Sequence, residues 1–170
     1  MDLLWAAGIN GEGSSVVAFS FVENVVANQD LSDVFIVYTS KSTLSSKLAS
    51  LTVSTIDSLS SRNVYLLRLP KACRMYPIHF LIKCFLPVNI WFKRCVVFDD
   101  FPFRICSRQL LYFHQPNLIF GYSVLWRIKR LAFKMLKPKS LTFNFQTCHI
   151  KDSFVRAFGE CKFLLLLHQI

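Results

Sequence analysis

The first 26 residues constrain the fold of this chain most strongly. An apolar run from Leu3 to Ala7 enters a turn that contains Gly8, Gly11 and Gly13, and an apolar-periodic segment follows two serines. A strand, a small-residue turn and a helix in this order make the first half of a βαβ unit. Glycines let backbone N–H groups approach a ligand, and the N-terminus of the next helix favours negative charge. The opening therefore predicts an α/β domain with a ligand-binding loop after its first strand.

The rest of the chain alternates apolar runs with helical patterns. Asp33 to Thr39 is nearly continuously apolar, which is typical of a strand that is buried on both faces of a parallel sheet. Further strands are predicted at residues 63–70, 95–100, 110–116, 141–147 and 161–170. Helices are predicted at residues 15–27, with Ser14 or Ser15 as the N-cap, at 77–86, with Pro77 in the first turn, at 124–136, and at 150–158, with Gly159 after the helix end. We therefore expect one α/β domain over residues 1–170, with a doubly wound, mainly parallel, Rossmann-like sheet.

Two of the predicted helices are amphipathic. In the first, the apolar residues Ile78, Leu81, Ile82 and Phe85 recur at i, i+3, i+4 and i+7, and His79 and Lys83 lie together on the other side. In the second, Val124 to Leu136, the same spacing predicts an inward apolar stripe of Val124, Ile128, Leu131 and Met135. Its outer side is predicted to carry a basic row beside Trp126 and Phe133, which consists of Arg127, Arg130, Lys134 and Lys137.

Composition excludes several classes of protein. The chain is 53% hydrophobic and 18% charged, which argues against disorder. The most apolar stretch, residues 75–92, is interrupted by prolines, a histidine and a lysine, and no basic segment precedes the first apolar run, so neither a membrane span nor a signal peptide is predicted. We therefore expect a cytoplasmic protein. The six cysteines form no CxxC pair, which favours reduced, mostly buried thiols over disulfides or a metal site.

The positive charge of the chain is unevenly placed. The net charge is +10, and residues 101–151 contain nine Lys and Arg residues but no Asp or Glu. Such asymmetry indicates an anionic partner, which can be a phosphate group, a membrane surface or a nucleic acid. The basic row beside Trp126 favours a membrane surface among these, although a solvated helix face has the same pattern.

Polar residues follow several of the predicted strands. In doubly wound sheets, ligands collect at the carboxyl ends of strands. Asp99 and Asp100 follow one strand, His114 another, and Thr147 a third. His114 can act as an acid or a base near neutral pH, or it can be a hydrogen-bonded core residue. Asp99 and Asp100 can supply a carboxylate to the site or cap the next segment.

The glycine turn does not match the two common nucleotide-binding fingerprints. Its sequence G-I-N-G-E-G-S-S differs in spacing from G-x-G-x-x-G, no acidic residue ends the second strand, and the G-K-[ST] of a P-loop is missing. These departures argue against a dinucleotide-dependent reductase. They leave open a tight structural turn or a backbone cradle for a phosphate or a sugar hydroxyl.

Four segments in order resemble the N-terminal domain of GT-B type glycosyltransferases of the retaining, nucleotide-sugar-dependent group 1 (family 4-like). They are W-A-A-G-I-N-G-E-G-S-S, V-V-F-D-D, L-L-Y-F-H-Q-P-N-L and F-Q-T-C-H-I-K-D-S-F. The resemblance covers nearly the whole chain and rests mainly on the order of these segments. It implies transfer of a sugar from a nucleotide-sugar to a lipid-linked or polysaccharide acceptor, as in O-antigen or capsule synthesis, with the nucleotide-sugar as donor substrate and no other cofactor.

The resemblance also implies roles for individual residues. His114 would contact the donor sugar as the catalytic residue, and Gly11, Gly13 and Ser14 would lie near the donor phosphates and the acceptor. From their places at strand ends, Asp99 and Thr147 are expected to complete the substrate-binding residues. From the basic-aromatic pattern of their helix, Trp126 and the basic row are expected to dock on the anionic inner face of the cell membrane.

The resemblance implies a second Rossmann-like domain that holds most of the donor and carries an E-x7-E-type motif. The 170 residues contain no such domain, so they are predicted to be a truncated form or a fragment with little activity alone. The alternative interpretation is a non-catalytic α/β protein that binds a polyanion or a membrane surface. Nucleic acid is not the expected partner, because no nucleic-acid-binding motif is present.

Overall fold

The protein folds around a seven-stranded parallel sheet. A computed structural model describes residues 1–9, 12–27, 33–39, 44, 46, 64–99, 101–113, 116–137 and 141–165. The strands are β1 (Asp2–Ala6), β2 (Val34–Thr39), β3 (Val64–Leu69), β4 (Arg94–Val97), β5 (Gln109–Phe113), β6 (Thr142–Phe145) and β7 (Lys162–Leu165). The helices are α1 (Glu12–Ala27), α2 (Tyr76–Phe85), α3 (Val88–Trp91), α4 (Asn117–Phe120), α5 (Val124–Leu136) and α6 (Cys148–Phe158), with a 3-10 turn at Lys71–Arg74.

The strand order is β3-β2-β1-β4-β5-β6-β7, and each neighbouring pair is parallel. Leu3 of β1 is level with Phe35 of β2 on one side and with Cys95 of β4 on the other. The chain thus winds one way from β1 to β3 and the other way from β4 to β7. This confirms the predicted doubly wound, Rossmann-like α/β fold, and the sheet is parallel throughout the described strands.

A hydrophobic core lies on each face of the sheet. Ala18 and Val22 of α1 pack on one face against Leu4 and Ile36. The other face is covered by residues of α2 to α6 and is dominated by aromatic side chains. Phe154 of α6 lies at its centre, with ring centroids 4.6 Å from Phe143, 5.0 Å from Phe113 and 5.7 Å from Phe133. These tilted and edge-to-face contacts fix the positions of α5 and α6 against the strands.

The start of α1 differs from the prediction. The sequence placed the helix at Ser15 with Ser14 or Ser15 as its N-cap, whereas the helix begins at Glu12 and both serines lie inside it. Ser15 is buried. The loop between β1 and α1 is therefore shorter than its glycines suggested, and Gly13 belongs to the first turn of the helix.

The two amphipathic helices are rotated relative to their predicted orientations. On α2, His79 and Lys83 face the core, and Leu81 and Phe85 are exposed. On α5, the predicted inward stripe is exposed, and the buried residues are Ala132, Phe133 and Leu136. The prediction for α5 was wrong because the helix has a second inward set, in which the ring of Phe133 fills the aromatic core.

The prediction of mostly buried cysteines was wrong, because only two of the six are buried. Cys95 and Cys106 are buried, Cys148 is exposed, and the other three cysteines are partly exposed. All six have free thiols, as expected.

Candidate functional site

The polar centre of the sheet lies between β1 and β4, where the winding direction reverses. The end of β1 and the residue that follows it are held from both sides. The Thr39 hydroxyl donates a hydrogen bond to the Ala7 carbonyl at 3.1 Å, and the Phe98 N–H donates to the Trp5 carbonyl at 2.9 Å. Gly8 packs directly on Asp99. A Cβ atom at Gly8 would lie 2.6 Å from the Cβ of Asp99, so only glycine fits there without displacing the loop.

Asp99 forms a buried ion cluster with two residues of α2. Its Oδ1 is 3.1 Å from Lys83 Nζ, and its Oδ2 is 3.0 Å from His79 Nε2. Neither contact has the alignment of a hydrogen bond, so the attraction is mainly electrostatic. Oδ1 also accepts a hydrogen bond from the Phe101 N–H at 3.2 Å. The cluster ties α2 to the loop after β4.

Burial and charge act against each other in this cluster. Burial lowers the pKa of Lys83, and the nearby Asp99 carboxylate only partly opposes that shift. Burial raises the pKa of Asp99, but the attraction of Lys83 and His79 outweighs it and lowers that pKa to about 2. Asp99 is therefore a carboxylate at neutral pH, although it is 4% exposed.

Aromatic rings surround the Lys83 ammonium. Nζ lies 3.9 Å from the ring centroid of Phe103 and 5.0 Å from that of Trp5, within the range of cation–π attraction. The Trp5 and Phe103 rings meet edge to face with their centroids 5.0 Å apart. The rings help to hold the cation in a site that water does not reach, since Lys83 is fully buried.

The sequence builds this cluster by helical spacing. Pro77 occupies the first turn of α2, as predicted, and His79 and Lys83 follow at i and i+4 on one side of the helix. Because α2 crosses from β3 to β4, that side faces the end of β4, where Asp99 lies. Asp99 is buried there and lies directly against Gly8, so it sets the position of the backbone after β1.

The structure places the predicted site residues in different surroundings. Gly11, Asp100 and His114 lie outside the described residues, so the role of His114 stays a prediction. Gly13 and Ser14 lie in the first turn of α1. Asp99 joins them at the carboxyl edge of the sheet.

Thr147 caps the helix α6. Its Oγ1 accepts a hydrogen bond from the Ile150 N–H at 3.3 Å, which is the usual contact of an N-cap threonine. Its side chain is exposed at the end of β6, on the same edge of the sheet as Gly8. A role in substrate binding stays a prediction, and the observed contact gives it a structural role.

Sequence reasoning missed His79 and Lys83. The available signal was their i, i+4 spacing in an apolar helix, together with the shortage of acids in the same part of the chain. Asp99 and Asp100 are the only acidic residues between Arg62 and Lys151. A carboxylate at the end of a buried strand needs a cation, and the nearest candidates were these two residues.

The predicted basic row of α5 divides into two pairs. Arg127 and Lys134 are exposed, as expected. Arg130 instead is partly buried and donates hydrogen bonds to the carbonyls of Ile119 and Gly121, at 3.2 and 2.8 Å. This side chain closes the end of the short helix α4, and cations at helix C-termini are favourable.

Lys137 at the end of α5 acts similarly on α6. Its Nζ donates to the carbonyls of Phe158 and Glu160 at 3.3 and 3.4 Å. The prediction that Arg130 and Lys137 share the outer side was therefore wrong, because the ends of two neighbouring helices supply carbonyl acceptors. Trp126 is half-buried and has the Lys129 ammonium 4.5 Å from its ring centroid.

A cavity of about 530 Å³ lies at the opposite edge of the sheet. It is lined by the first residues of several strands, among them Arg94, Gln109 and Lys162, and by Phe21 of α1. It is remote from Gly8 and Asp99, which follow the strands. Within the described residues, no group of His, Cys, Asp and Glu side chains has the arrangement of a metal site.

Comparison of the chain with protein-family models, with curated proteins and with solved structures finds no match. The relation to GT-B glycosyltransferases stays a prediction. Among the described residues, no helix has the length and apolar character needed to cross a membrane.

Proposed function

We propose that this chain is the acceptor-side, N-terminal domain of a retaining GT-B type glycosyltransferase. The reaction is transfer of a sugar from a nucleotide-sugar to a lipid-linked or polysaccharide acceptor in the synthesis of a surface glycan. The observation that carries the proposal is the contact of Gly8 with Asp99 at the point where the winding of the sheet reverses. In open parallel sheets, ligands bind in the crevice at this point.

The geometry supports a ligand that binds to backbone N–H groups, and it does not favour a dinucleotide. Directly after β1, the Ala7 carbonyl accepts a hydrogen bond from Thr39, and Gly8 packs on Asp99, so the backbone of these two residues is held in place. The first turn of α1, with Gly13 and Ser14, follows at the same edge and presents N–H groups with partial positive charge. A diphosphate or a sugar hydroxyl is the group that such a surface favours.

In this proposal, the buried ion cluster is a positioning device. Asp99 sets the position of Gly8 by direct contact, and Lys83 and His79 hold the Asp99 carboxylate in place. His114, which follows β5, would contact the donor sugar. The nucleotide itself would be held mainly by the second domain of the family, so the 170 residues assayed alone are expected to give little turnover of a radiolabelled nucleotide-sugar.

Binding can be tested on the isotopically labelled 170-residue chain by NMR. We expect UDP-glucose or GDP-mannose to shift the amide signals of Gly8 to Ser14 and of His114, and NAD⁺ at the same concentration to shift them less. Ser14→Ala should weaken the effect, whereas Ser20→Ala on the exposed side of α1 should not. Shifts confined to the cavity at Arg94 and Gln109, or equal shifts with NAD⁺, would contradict the proposal.

The alternative, a non-catalytic protein that binds polyanions, predicts a different result. Binding would then depend on total negative charge, and an unrelated polyanion such as heparin would compete with the sugar nucleotide. The exposed basic side chains would respond instead of the loop after β1.

A further inference from the structure

The side of the protein that α2 and α5 cover has an unusual surface. Both helices pack on the same face of the sheet, since Phe80 and Ile82 of α2 and Phe133 of α5 join one core. The helices also contact each other, and the Lys129 ammonium lies 5.8 Å from the ring centroid of Tyr76. The outer sides of α2 and α5 therefore point away from the sheet in the same general direction.

These outer sides are apolar. On α2, Leu81 is 53% and Phe85 71% exposed. On α5, the exposed fractions are 50% for Ile128, 63% for Leu131 and 63% for Met135. Isolated exposed apolar residues are ordinary, but exposed apolar stripes on two neighbouring helices are typical of an interaction surface. We call these five residues the apolar stripes.

Positive charge borders the apolar stripes. Arg127 and Lys134 are exposed on α5 beside Ile128 and Leu131. Between Arg62 and Lys151, Asp99 and Asp100 are the only acidic residues, and Asp99 is buried against Lys83 and His79. An apolar surface flanked by cations, with almost no acids in that part of the chain, complements an anionic lipid headgroup layer above hydrocarbon.

We propose that the apolar stripes insert into the surface of a membrane that contains anionic phospholipid. The inserted side chains are Leu81, Phe85, Ile128, Leu131 and Met135. Arg127 and Lys134 contact the lipid phosphates. This assignment differs from docking through a basic row: lipid contact is made by the stripe that sequence periodicity placed in the core. It does not depend on the glycosyltransferase proposal, because it uses neither Gly8 nor His114.

Vesicle flotation with the full 170-residue chain tests the proposal. The vesicles contain either phosphatidylcholine alone or phosphatidylcholine mixed with phosphatidylglycerol. We expect the protein to float with the mixed vesicles and at least about tenfold less with phosphatidylcholine alone, since each of the two exposed cations adds attraction to an anionic surface. Arg127→Gln with Lys134→Gln should remove most of this difference. Arg108→Gln with Lys162→Gln, an exposed pair at the amino-terminal edge of the sheet, should not.

Apolar insertion is tested with a second set of variants. Ile128→Ser with Leu131→Ser, and separately Leu81→Ser with Phe85→Ser, should each reduce binding to mixed vesicles about tenfold or more. Val16→Ser is the matched control, because Val16 is 46% exposed on α1, which covers the other face of the sheet. Circular dichroism checks that each variant is folded. Since each of the four replaced residues is half exposed or more, their replacement should leave the fold intact.

Three results would overturn the proposal. The first is failure of the unmodified chain to float with mixed vesicles. The second is equal flotation of the stripe variants and Val16→Ser. The third is a concentration-dependent dimer, seen by analytical ultracentrifugation, that the stripe variants abolish while flotation is unchanged; the stripes would then be a contact between two copies of the chain.

Discussion

Replacement of Lys83 by methionine should destabilise the protein by about 3 kcal/mol. Methionine has a similar length and fills the space beside Phe103 and Trp5, so the main change is the loss of one positive charge. Removal of one member of a buried ion pair typically costs about 3–5 kcal/mol, because the remaining charge stays buried. The lower end applies here, since Asp99 keeps His79 and the Phe101 N–H.

The reasoning also predicts the effect of removing both charges. Lys83→Met combined with Asp99→Asn leaves no uncompensated carboxylate, so the double variant should lose only about 1 kcal/mol relative to the original chain. In the single variant Lys83→Met, the pKa of Asp99 should rise, because burial raises it and the attraction of Lys83, the strongest opposing effect, is lost. This variant should therefore lose less stability than the original chain as the pH falls below 3.8, because its Asp99 carboxylate contributes less stability for protonation to remove.

Urea unfolding followed by tryptophan fluorescence measures these differences. Trp5 is a local reporter, since its ring is 5.0 Å from Lys83 Nζ. Lys134→Met makes the same chemical change at an exposed position and should alter the free energy of unfolding by less than about 0.5 kcal/mol. If Lys83→Met costs no more than Lys134→Met, or if the double variant is no more stable than the single one, the ion cluster does not support the fold as argued.

Two further predictions concern the same site. Gly8→Ala should destabilise the protein by about 1–3 kcal/mol, because the new methyl group would lie 2.6 Å from the Cβ of Asp99, which cannot move without the backbone. Gly159→Ala is a useful comparison in thermal melting, since Gly159 has φ of 80° but nothing near its Cβ, so its cost of about 1 kcal/mol comes from backbone strain alone. The second prediction concerns acid. The pKa of Asp99 falls from 3.8 to about 2 on folding, so its contribution of about 2 kcal/mol is complete above pH 3.8 and is lost as the pH falls toward 2. Asp99→Asn should remove that part of the dependence of stability on pH, and an unchanged acid titration would contradict the assignment.

The strands could be predicted because a buried parallel strand leaves an unambiguous pattern. Asp33 to Thr39 is apolar along its whole length, since both faces of β2 are covered, and the structure places the strand at Val34–Thr39. Two helix boundaries could be predicted equally well from single residues, since Pro77 lies in the first turn of α2 and Gly159 follows the end of α6. These features depend on local chemistry, which a single sequence displays.

The orientation of the helices could not be predicted from periodicity. On α5, both Ile128 with Leu131 and Phe133 with Leu136 have a helical spacing, so two apolar stripes compete for the core. The aromatic cluster around Phe154 decides between them, and it forms from strands and helices that are distant in sequence. For the candidate site, the strand ends could be predicted, whereas the pairing of Asp99 with His79 and Lys83 depends on how α2 lies on the sheet.

The buried cluster and the exposed stripe of α2 are two results of one rotation. His79 and Lys83 differ by one helical turn, so when both point at Asp99 the opposite side of the helix, with Leu81 and Phe85, must face outward. Exposure of Leu81 and Phe85 alone would therefore be explained by the ion cluster, without any lipid.

No such constraint acts on α5, whose described inward residues Ala132, Phe133 and Leu136 are apolar. The stripe of Ile128 and Leu131 is exposed for a separate reason, although α5 packs on the same face of the sheet as α2. The apolar stripes of the two helices are exposed for different reasons. Their occurrence on neighbouring helices is therefore a stronger argument for a shared surface than the exposure of either stripe alone. The two pairs of stripe variants therefore differ in what they test. Ile128→Ser with Leu131→Ser changes the membrane surface without disturbing α2, which holds Asp99. Loss of flotation in that variant is stronger evidence than its loss in Leu81→Ser with Phe85→Ser.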